Sequence, residues 1–122
     1  MGDSLSATGT SPEAPEHQHE MVRSRYRAYA PNYDRRFRRY TAWPRAIVLD
    51  AIRDLPPASR VLDVCCGTGV VTAALADHFP KAEIVGVDLS QAMLARAQER
   101  LEALGLEGIH LCEAPAEKVP VE

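Results

Sequence analysis

Residues 60–77, RVLDVCCGTGVVTAALAD, decide the fold of this 122-residue chain. Residues 60–65 are rich in valine and leucine, so we expect a short strand that is buried on both faces. Gly67 and Gly69 follow at once, and residues 69–79 have the composition of a helix that Pro80 ends. A strand that turns through glycines into a helix brings backbone N–H groups and the helix N-terminus close to a ligand.

The same rhythm continues after Pro80. Glu83–Asp88 is a second predicted strand. Ser90 caps a helix that runs to about residue 104, where Gly105 stops it, and residues 108–112 form a third predicted strand. Strands that alternate with helices predict βαβ units and a parallel sheet, so the predicted fold class is α/β.

An acid ends the second predicted strand, 19 residues after Gly69. Asp88 can accept hydrogen bonds from both ribose hydroxyls of a nucleoside. The order strand, glycine turn, helix, strand, acid therefore favours a nucleoside cofactor, with a purely structural turn as the alternative. The dinucleotide pattern fails because its third glycine would fall at Thr72, and no lysine follows the glycines as in a phosphate-binding loop.

The first 57 residues have a different pattern. Residues 1–20 are polar and lack apolar periodicity, which predicts a disordered tail. Residues 21–57 predict a helical cap, whose aromatic residues recur at intervals of three and four along one helical face: Tyr26, Tyr29, Tyr33, Phe37 and Tyr40. Pro31 predicts a break near residues 30–31, and a further helix is expected over residues 44–55, with Pro44 near its start.

Charge is distributed unevenly along the chain, whose net value is −3. Residues 23–45 hold eight arginines and one acid, whereas residues 46–122 hold six basic and twelve acidic residues. The basic stretch either pairs with the acidic part or binds an anionic partner such as nucleic acid. We favour the first interpretation, because the aromatics follow a helical face and the acidic part is a ready partner for the arginines, and we keep a nucleic-acid partner as the less favoured alternative.

The cellular compartment is indicated by several absences and by the thiols. No apolar run approaches the roughly 20 residues of a membrane helix, and the N-terminus lacks the basic start and apolar core of a secretion signal. Three cysteines, an odd number, favour free thiols in a reducing compartment. We therefore expect a cytoplasmic protein with no membrane span.

The glycine turn carries a family resemblance. Asp63-x-Cys65-x-Gly67-x-Gly69 resembles the acid-x-G-x-G-x-G motif of class I S-adenosyl-L-methionine (SAM)-dependent methyltransferases. VLDVCCGTG, followed by VDLSQAMLARAQER, is similar to the ubiquinone/menaquinone-biosynthesis C-methyltransferases and their small-molecule relatives. AEKVP at 116–120 resembles the A-E-x-L-P segment of that family, and Tyr33–Asp34 resembles its N-terminal segment over the cofactor.

The resemblance implies a Rossmann-like class I methyltransferase fold, of which this chain holds the N-terminal part. About three parallel strands with flanking helices follow the cap, and residues 58–122 form a SAM-binding half-domain. The implied cofactor is SAM, and the implied partner is a small-molecule methyl acceptor, with a quinone-like compound as one candidate. No metal site and no catalytic base are assigned.

The resemblance also assigns roles to individual residues. Asp63 would hold the amino group of the cofactor, Asp88 the ribose, and the Ala116 N–H the adenine ring. Pro115 stands where relatives often carry an acid or amide that contacts adenine, so that contact would be missing or supplied by a neighbour. The other implied cofactor residues contact the methionine part, pack on the adenine or cover the site: Cys65, Cys66, Gly67, Thr68, Gly69, Leu89, Met93 and Tyr33.

Relatives in this family continue beyond the third strand, in the sheet order 3-2-1-4-5-7-6. With three strands the first becomes an exposed apolar edge, which is a pairing hazard. We therefore expect a truncated methyltransferase. Two alternatives stay open: an RNA-directed methyltransferase, and a non-catalytic half-domain that acts through a protein partner or self-association at the exposed edge.

Overall fold

The structure is a computed structural model that describes residues 14–57 and 60–119. In the second of these ranges three parallel strands form one sheet in the order β1-β2-β3. The elements are β1 Arg60–Val64, α4 Val70–His78, β2 Glu83–Asp88, α5 Gln91–Ala103 and β3 Ile109–Glu113, with a 3₁₀ turn at Ala116–Lys118. The predicted α/β alternation is confirmed, and β1 and β2 end side by side, with Val64 opposite Val87.

The first range is helical, as predicted for the cap. It consists of α1 Ala14–Tyr29, a 3₁₀ turn Ala30–Asn32, α2 Tyr33–Arg36 and α3 Arg38–Ile52. The predicted break is confirmed, because the 3₁₀ turn begins beside Pro31. The rings of the aromatic face contact one another, with centroids 4.9 Å apart for Tyr33 and Phe37 and 6.1 Å apart for Tyr26 and Tyr33.

The disordered tail predicted for residues 1–20 is wrong for residues 14–20, which belong to α1. Ion pairs along the helix compensate for its few apolar residues: Arg23 contacts Glu16 at 3.0 Å and Glu20 at 3.7 Å, and Arg27 contacts Glu20 at 4.0 Å. These ion pairs of Arg23 and Arg27 lie within the helix, while Arg23 also interacts electrostatically with Glu113 in the acidic part of the chain. Residues 1–13, 58–59 and 120–122 lie outside the described residues.

The helix predicted to begin near Pro44 begins instead at Arg38 and contains the proline. Pro44 has no N–H for the carbonyl four residues earlier, so the helix lacks one hydrogen bond. It continues because Val48 and Ile52 pack against the core formed by α4 and β2. Tertiary contacts here outweigh the local signal.

The expectation that β1 is buried on both faces is wrong. Leu62 and Val64 are each 41% exposed, whereas Val61 packs against the core. Leu62 and Val64 point to the same face of the sheet, and residues 14–57 and 60–119 cover this face of β1 only in part. In addition, β1 is an edge strand of the three-stranded sheet. The expected exposed apolar edge is therefore confirmed. Among the described helices, none is long and apolar enough to cross a membrane.

Candidate cofactor site

The carboxylate of Asp88 lies at the carboxyl end of β2 and is held by two backbone N–H groups. Gly67 N–H donates to Oδ1 at 3.0 Å, and Ser90 N–H donates to Oδ2 at 2.9 Å. A carboxylate has about four acceptor positions, so about two remain for a ligand. The acid thus connects the glycine turn to the start of α5 and can still accept hydrogen bonds from a diol.

The glycine turn is fixed by backbone contacts on both sides. Cys66 N–H donates to the Val87 carbonyl at 2.9 Å, which joins the turn to β2. Gly69 has φ +81° and is the N-cap residue of α4, and a Cβ on it would lie 3.0 Å from Ala97 Cβ. Only glycine combines this backbone angle with such close contact to α5.

Cys65 is strained in the same turn. Its φ is +61°, in the left-handed region that non-glycine residues enter at a cost of about 1–2 kcal/mol. This is the position where the family pattern has its first glycine. Cys65 therefore has a backbone conformation that glycine favours while it carries a side chain.

A cavity of about 350 Å³ opens beside Asp88, a volume typical of small-molecule sites. It lies at the carboxyl ends of the strands, where ligands of α/β folds bind. Most of the predicted site residues line it: Tyr33, Cys65, Gly67, Asp88, Leu89, Met93, Pro115 and Ala116. The structure thus brings together residues that are as far apart in sequence as Tyr33 and Ala116.

The other four predicted residues do not line this cavity. Asp63 lies in β1 and accepts a hydrogen bond from the Thr72 hydroxyl at 2.7 Å. Gly69 is buried under the turn, while Cys66 and Thr68 line a second cavity of about 200 Å³ between the turn and α3. The Thr68 hydroxyl donates to Asp34, so its proton is already used within the protein.

Burial sets the protonation of several groups around the turn. It raises the pKa of the Asp63 carboxyl, although the hydrogen bond from Thr72 opposes the shift. It also raises the pKa of the Cys65 thiol, and that of Cys66 to about 12, with Asp63 and Asp88 adding to both shifts. Both cysteines therefore remain thiols at neutral pH, and neither is an activated nucleophile.

Several cavity residues were not predicted from the sequence. Some come from α1, which supplies His19, Val22 and Tyr26. His19 Nε2 lies 2.7 Å from Glu117 Oε1, so the first helix contacts the segment after β3 across the cavity. Tyr26 belongs to the predicted aromatic face, which was a usable signal, whereas His19 fell in the predicted tail and gave none. No cluster able to hold a metal ion occurs in the ranges 14–57 and 60–119.

Comparison with known proteins decides the family. Residues 61–122, half of the chain, match the family described as methyltransferase domain. The chain belongs to this methyltransferase family. It is 42% identical over 87 residues to a demethylmenaquinone methyltransferase of Bacillus cytotoxicus, a match that covers 70% of this chain and 36% of that protein. The chain thus spans about a third of the length of the curated relatives it matches.

Solved structures of methyltransferases are similar to this one. A SAM-dependent methyltransferase from Clostridium acetobutylicum is 27% identical with a TM-score of 0.58, and the match covers 79% of this chain and 39% of that protein. A SAM-bound amino pentose methyltransferase from Micromonospora echinaspora is 37% identical with a TM-score of 0.50, and the match covers 64% of this chain and 30% of that protein. The fold is the Rossmann-like fold of class I methyltransferases, present in part, and SAM is the family's cofactor.

The cavity residues fit this cofactor. An adenosyl group carries a ribose diol and a flat apolar ring, and the cavity offers the Asp88 carboxylate next to the side chains of Leu89 and Met93. A Cβ added to Gly67 would lie 3.5 Å from Met93 Cε, so a side chain here would take space from the cavity. The acceptor carboxylate and the apolar surface therefore suit the ribose and the base of a nucleoside.

Proposed function

We propose that this chain forms the cofactor-binding part of a SAM-dependent methyltransferase that acts on a small-molecule acceptor. The observation that carries the proposal is the Asp88 carboxylate, oriented by the Gly67 and Ser90 N–H groups at the edge of the 350 Å³ cavity. In this proposal the carboxylate accepts a hydrogen bond from each of the two ribose hydroxyls. Leu89 and Met93 pack on the adenine, and the Ala116 N–H contacts its edge.

The chemistry needs little acid–base assistance. Bound SAM supplies a methyl group on a positively charged sulfur, and transfer requires mainly that the acceptor atom is held in line with it. The protein's contribution is to hold the cofactor and to exclude water. Cys65 and Gly67, together with Tyr33, line both cavities, so we propose that the methionine end of the cofactor lies beside these three residues.

Asp63 has a supporting role in this proposal. Its carboxyl lies beneath the turn, is held by the Thr72 hydroxyl, and has a raised pKa because it is buried. A positively charged amino group near the turn would favour its ionised form and lower that pKa again. Cofactor binding at this site is therefore expected to oppose the effect of burial and to favour the ionised form of the Asp63 carboxyl.

The test is a calorimetric titration with S-adenosylhomocysteine, the methyl-depleted product of the cofactor. Wild-type chain is expected to bind at micromolar concentration, and Asp88→Ala to lose at least tenfold in affinity, since ribose hydrogen bonds to a charged acceptor are worth about 1.5–3 kcal/mol each. Glu83→Ala is the matched control, because Glu83 is an exposed acid at the other end of β2. Equal affinities in all three would exclude the Asp88 site.

The acceptor class rests on sequence similarity. The relative from Bacillus cytotoxicus is named for demethylmenaquinone, and a quinone-like acceptor is our specific proposal for the complete enzyme. Competition for radioactive methyl transfer between a naphthoquinol and an amino sugar would test it. Transfer to the amino sugar alone would reject the quinone-like acceptor and leave the small-molecule class in place.

The exposed edge of β1 supports a further part of the proposal, contact with additional polypeptide. Leu62 and Val64 present apolar surface there, beside strand N–H and C=O groups available for pairing. We propose self-association or a protein partner at this edge. Sedimentation at several concentrations tests it: mass that rises with concentration in wild type and not in Val64→Lys supports self-association, and a monomer throughout leaves a different protein as the partner.

A second candidate function is binding of an anionic polymer such as RNA. The observation in its favour is that Tyr40 and Trp43, 76% and 74% exposed, lie on α3 among exposed arginines. Titration of a fluorescent single-stranded RNA at two salt concentrations decides it, because phosphate binding weakens steeply with salt. We favour the small-molecule function.

We also propose a cytoplasmic location, supported by the free thiols of Cys65, Cys66 and Cys112.

A further inference from the structure

The only acid between residues 23 and 45 contacts the glycine turn. Asp34 belongs to α2, yet its Oδ1 accepts a hydrogen bond from the Thr68 hydroxyl at 2.5 Å. Its Oδ2 accepts a second one from Arg100 Nη2 in α5. The other charged residues of this segment are all arginines. The Asp34 carboxylate nevertheless accepts hydrogen bonds from two different parts of the sheet half, the glycine turn and α5.

Arg100 contacts both partners and so closes the network. Its Nε donates to the Thr68 carbonyl at 2.9 Å, while its Nη2 donates to Asp34. The Asp34–Thr68–Arg100 network therefore contains three hydrogen bonds, each of which has a charged donor or a charged acceptor and is of the stronger kind. Thr68 itself is only 3% exposed, so the network reaches into the interior of the turn.

A separate hydrogen bond connects Pro31, also in the cap, to α5. Arg96, one helical turn before Arg100, donates to the Pro31 carbonyl at 3.1 Å. The cap is thus hydrogen-bonded to α5 on both sides of the residue that faces the cavities. That residue is Tyr33, whose ring lines both the 350 Å³ and the 200 Å³ cavity.

We infer that Asp34 is a positioning residue, which fixes the cap to the glycine turn through Thr68 and Arg100 and thereby holds Tyr33 over the cofactor cavity. The inference deepens the proposed function, on which it rests for its effect on ligand affinity. Asp34 does not line the cofactor cavity and acts only through its neighbours. Without it, Tyr33 is free to leave the cavity, and the bound ligand loses cover on that side.

The first measurement needs no ligand. Amide hydrogen exchange of residues 33–40 is followed in the wild-type chain, where Phe37 N–H bonds to the Tyr33 carbonyl and Tyr40 N–H to the Phe37 carbonyl. Asp34→Asn is expected to raise these exchange rates roughly tenfold. In the wild-type chain, opening of this segment must break the Asp34–Thr68–Arg100 network, and in the variant this cost in free energy is removed. Asp50→Asn is the charge-matched control, since Asp50 forms an exposed pair with Arg53 at the C-terminal end of α3, and the exchange rates of this variant at residues 33–40 should equal those of wild type.

The second measurement separates the hydroxyl from general packing. Thr68→Ser keeps the hydroxyl and is expected to keep wild-type exchange rates at residues 33–40, whereas Thr68→Val keeps the shape and is expected to raise them roughly tenfold. Affinity for S-adenosylhomocysteine is measured for both variants, and Thr68→Val is expected to lose roughly tenfold. Arg100→Gln repeats the test from the other side of Asp34, and serves if Asp34→Asn fails to fold. Urea midpoints of all variants show whether a loss of affinity follows a loss of stability.

The outcomes are distinct. Unchanged exchange at residues 33–40 in Asp34→Asn overturns the inference, whatever the affinities are. Equal exchange rates at residues 33–40 in Thr68→Ser and Thr68→Val also overturn it, because the hydroxyl would then have no role. If the wild-type chain does not bind S-adenosylhomocysteine but Asp34→Asn still accelerates exchange, the positioning role stands and the proposed function fails.

Discussion

Ile84 in β2 and Ile47 in α3 are the same residue type in the two regions of this molecule, the sheet half (residues 60–119) and the cap (residues 14–57). The first exposes 1% of its surface and the second 54%. The sheet half buries a contiguous core around Ile84, with Leu75 and Phe79 of α4 and its C-terminal flank. The cap adds only one side of α3 to that core and is otherwise held by aromatic contacts and polar networks.

The difference shows how the cofactor site is divided between the two regions. The sheet half fixes the acceptor groups for the ligand by backbone hydrogen bonds, as at Asp88, and these persist as long as the fold does. In the proposed site the cap is a cover that opens more easily than the sheet half, because side-chain contacts such as Asp34 with Thr68 open at a lower free energy than a packed core. We therefore propose that the sheet half recognises the cofactor and that the cap covers it.

The largest expected effect is on the core. Ile84→Ala is expected to lower the free energy of unfolding by about 4 kcal/mol, because it leaves a cavity in a packed site. Ile47→Ala should cost less than about 1 kcal/mol, since most of that side chain is already in contact with water. Urea unfolding followed by circular dichroism measures both. Equal losses would contradict the division into a packed sheet half and a loosely attached cap.

The next effect concerns the contact between the turn and α5. Gly69→Ala is expected to lose about 3 kcal/mol of stability, part from the positive φ and part from the 3.0 Å approach to Ala97 Cβ. Gly105→Ala has a similar backbone angle but open space around it, and should lose only about 1 kcal/mol. A loss at position 69 no greater than at position 105 would mean that the turn and α5 are not closely packed.

A smaller effect of opposite sign is expected at the strained cysteine. Cys65→Gly should raise the free energy of unfolding by about 0.5–1 kcal/mol, because relief of the left-handed backbone outweighs the added flexibility of the unfolded chain. Cys112→Gly in β3 is the matched control and should destabilise, since a strand glycine has no such strain to relieve. Thermal unfolding of both variants under reducing conditions measures the difference, and destabilisation by Cys65→Gly would show that the turn is unstrained.

The smallest expected effect is the response of the two regions to acid, which has opposite signs. The pKa of the Asp63 carboxyl is raised by burial. The stability that this group adds is therefore greatest below the pKa it has in the unfolded chain, and is lost as pH rises through the pKa it has in the folded chain. The pKa of Glu16 in α1 is lowered by its hydrogen bond to Arg23, so the stability it adds is lost as pH falls. Lowering the pH from about 7 to about 3 should therefore destabilise α1 and stabilise the sheet half.

Two variants isolate these contributions. Asp63→Asn removes the loss of stability with rising pH, and Glu16→Gln removes the fraying of α1 with falling pH. Hydrogen exchange resolved by residue assigns each change to its region. A wild-type pH profile of the sheet half identical to that of Asp63→Asn would show that burial of this acid does not affect stability.

The sequence predicted the sheet half closely because its signals are local. The Ser90 cap, observed with its oxygen accepting from Met93 N–H, is an example, as is Gly105 at the end of α5. The grouping of Asp88 with Gly67 also followed from strand order alone. These features depend on residues close in sequence or on the rule that parallel strands end at one edge.

The cap and the burial of β1 were predicted less well, because both depend on distant contacts. Asp34 meets Thr68 and Arg100 across 34 and 66 residues, and no local pattern indicates such a pairing. Pro44 gives a strong local signal for a helix start, which the packing of Val48 overrides. The composition of β1 likewise indicates a buried strand but not whether another element covers its second face.

The most direct test of the central claim, a nucleoside cofactor site built on Asp88, is an NMR titration of the ¹⁵N-labelled chain with S-adenosylhomocysteine. The amide signals of Gly67 and Ser90, which donate to the Asp88 carboxylate, are expected to shift together with that of Ala116. The signal of Ile47, on the exposed side of the cap, should stay in place. A folded chain whose Gly67 and Ser90 signals do not move at saturating ligand would contradict the account.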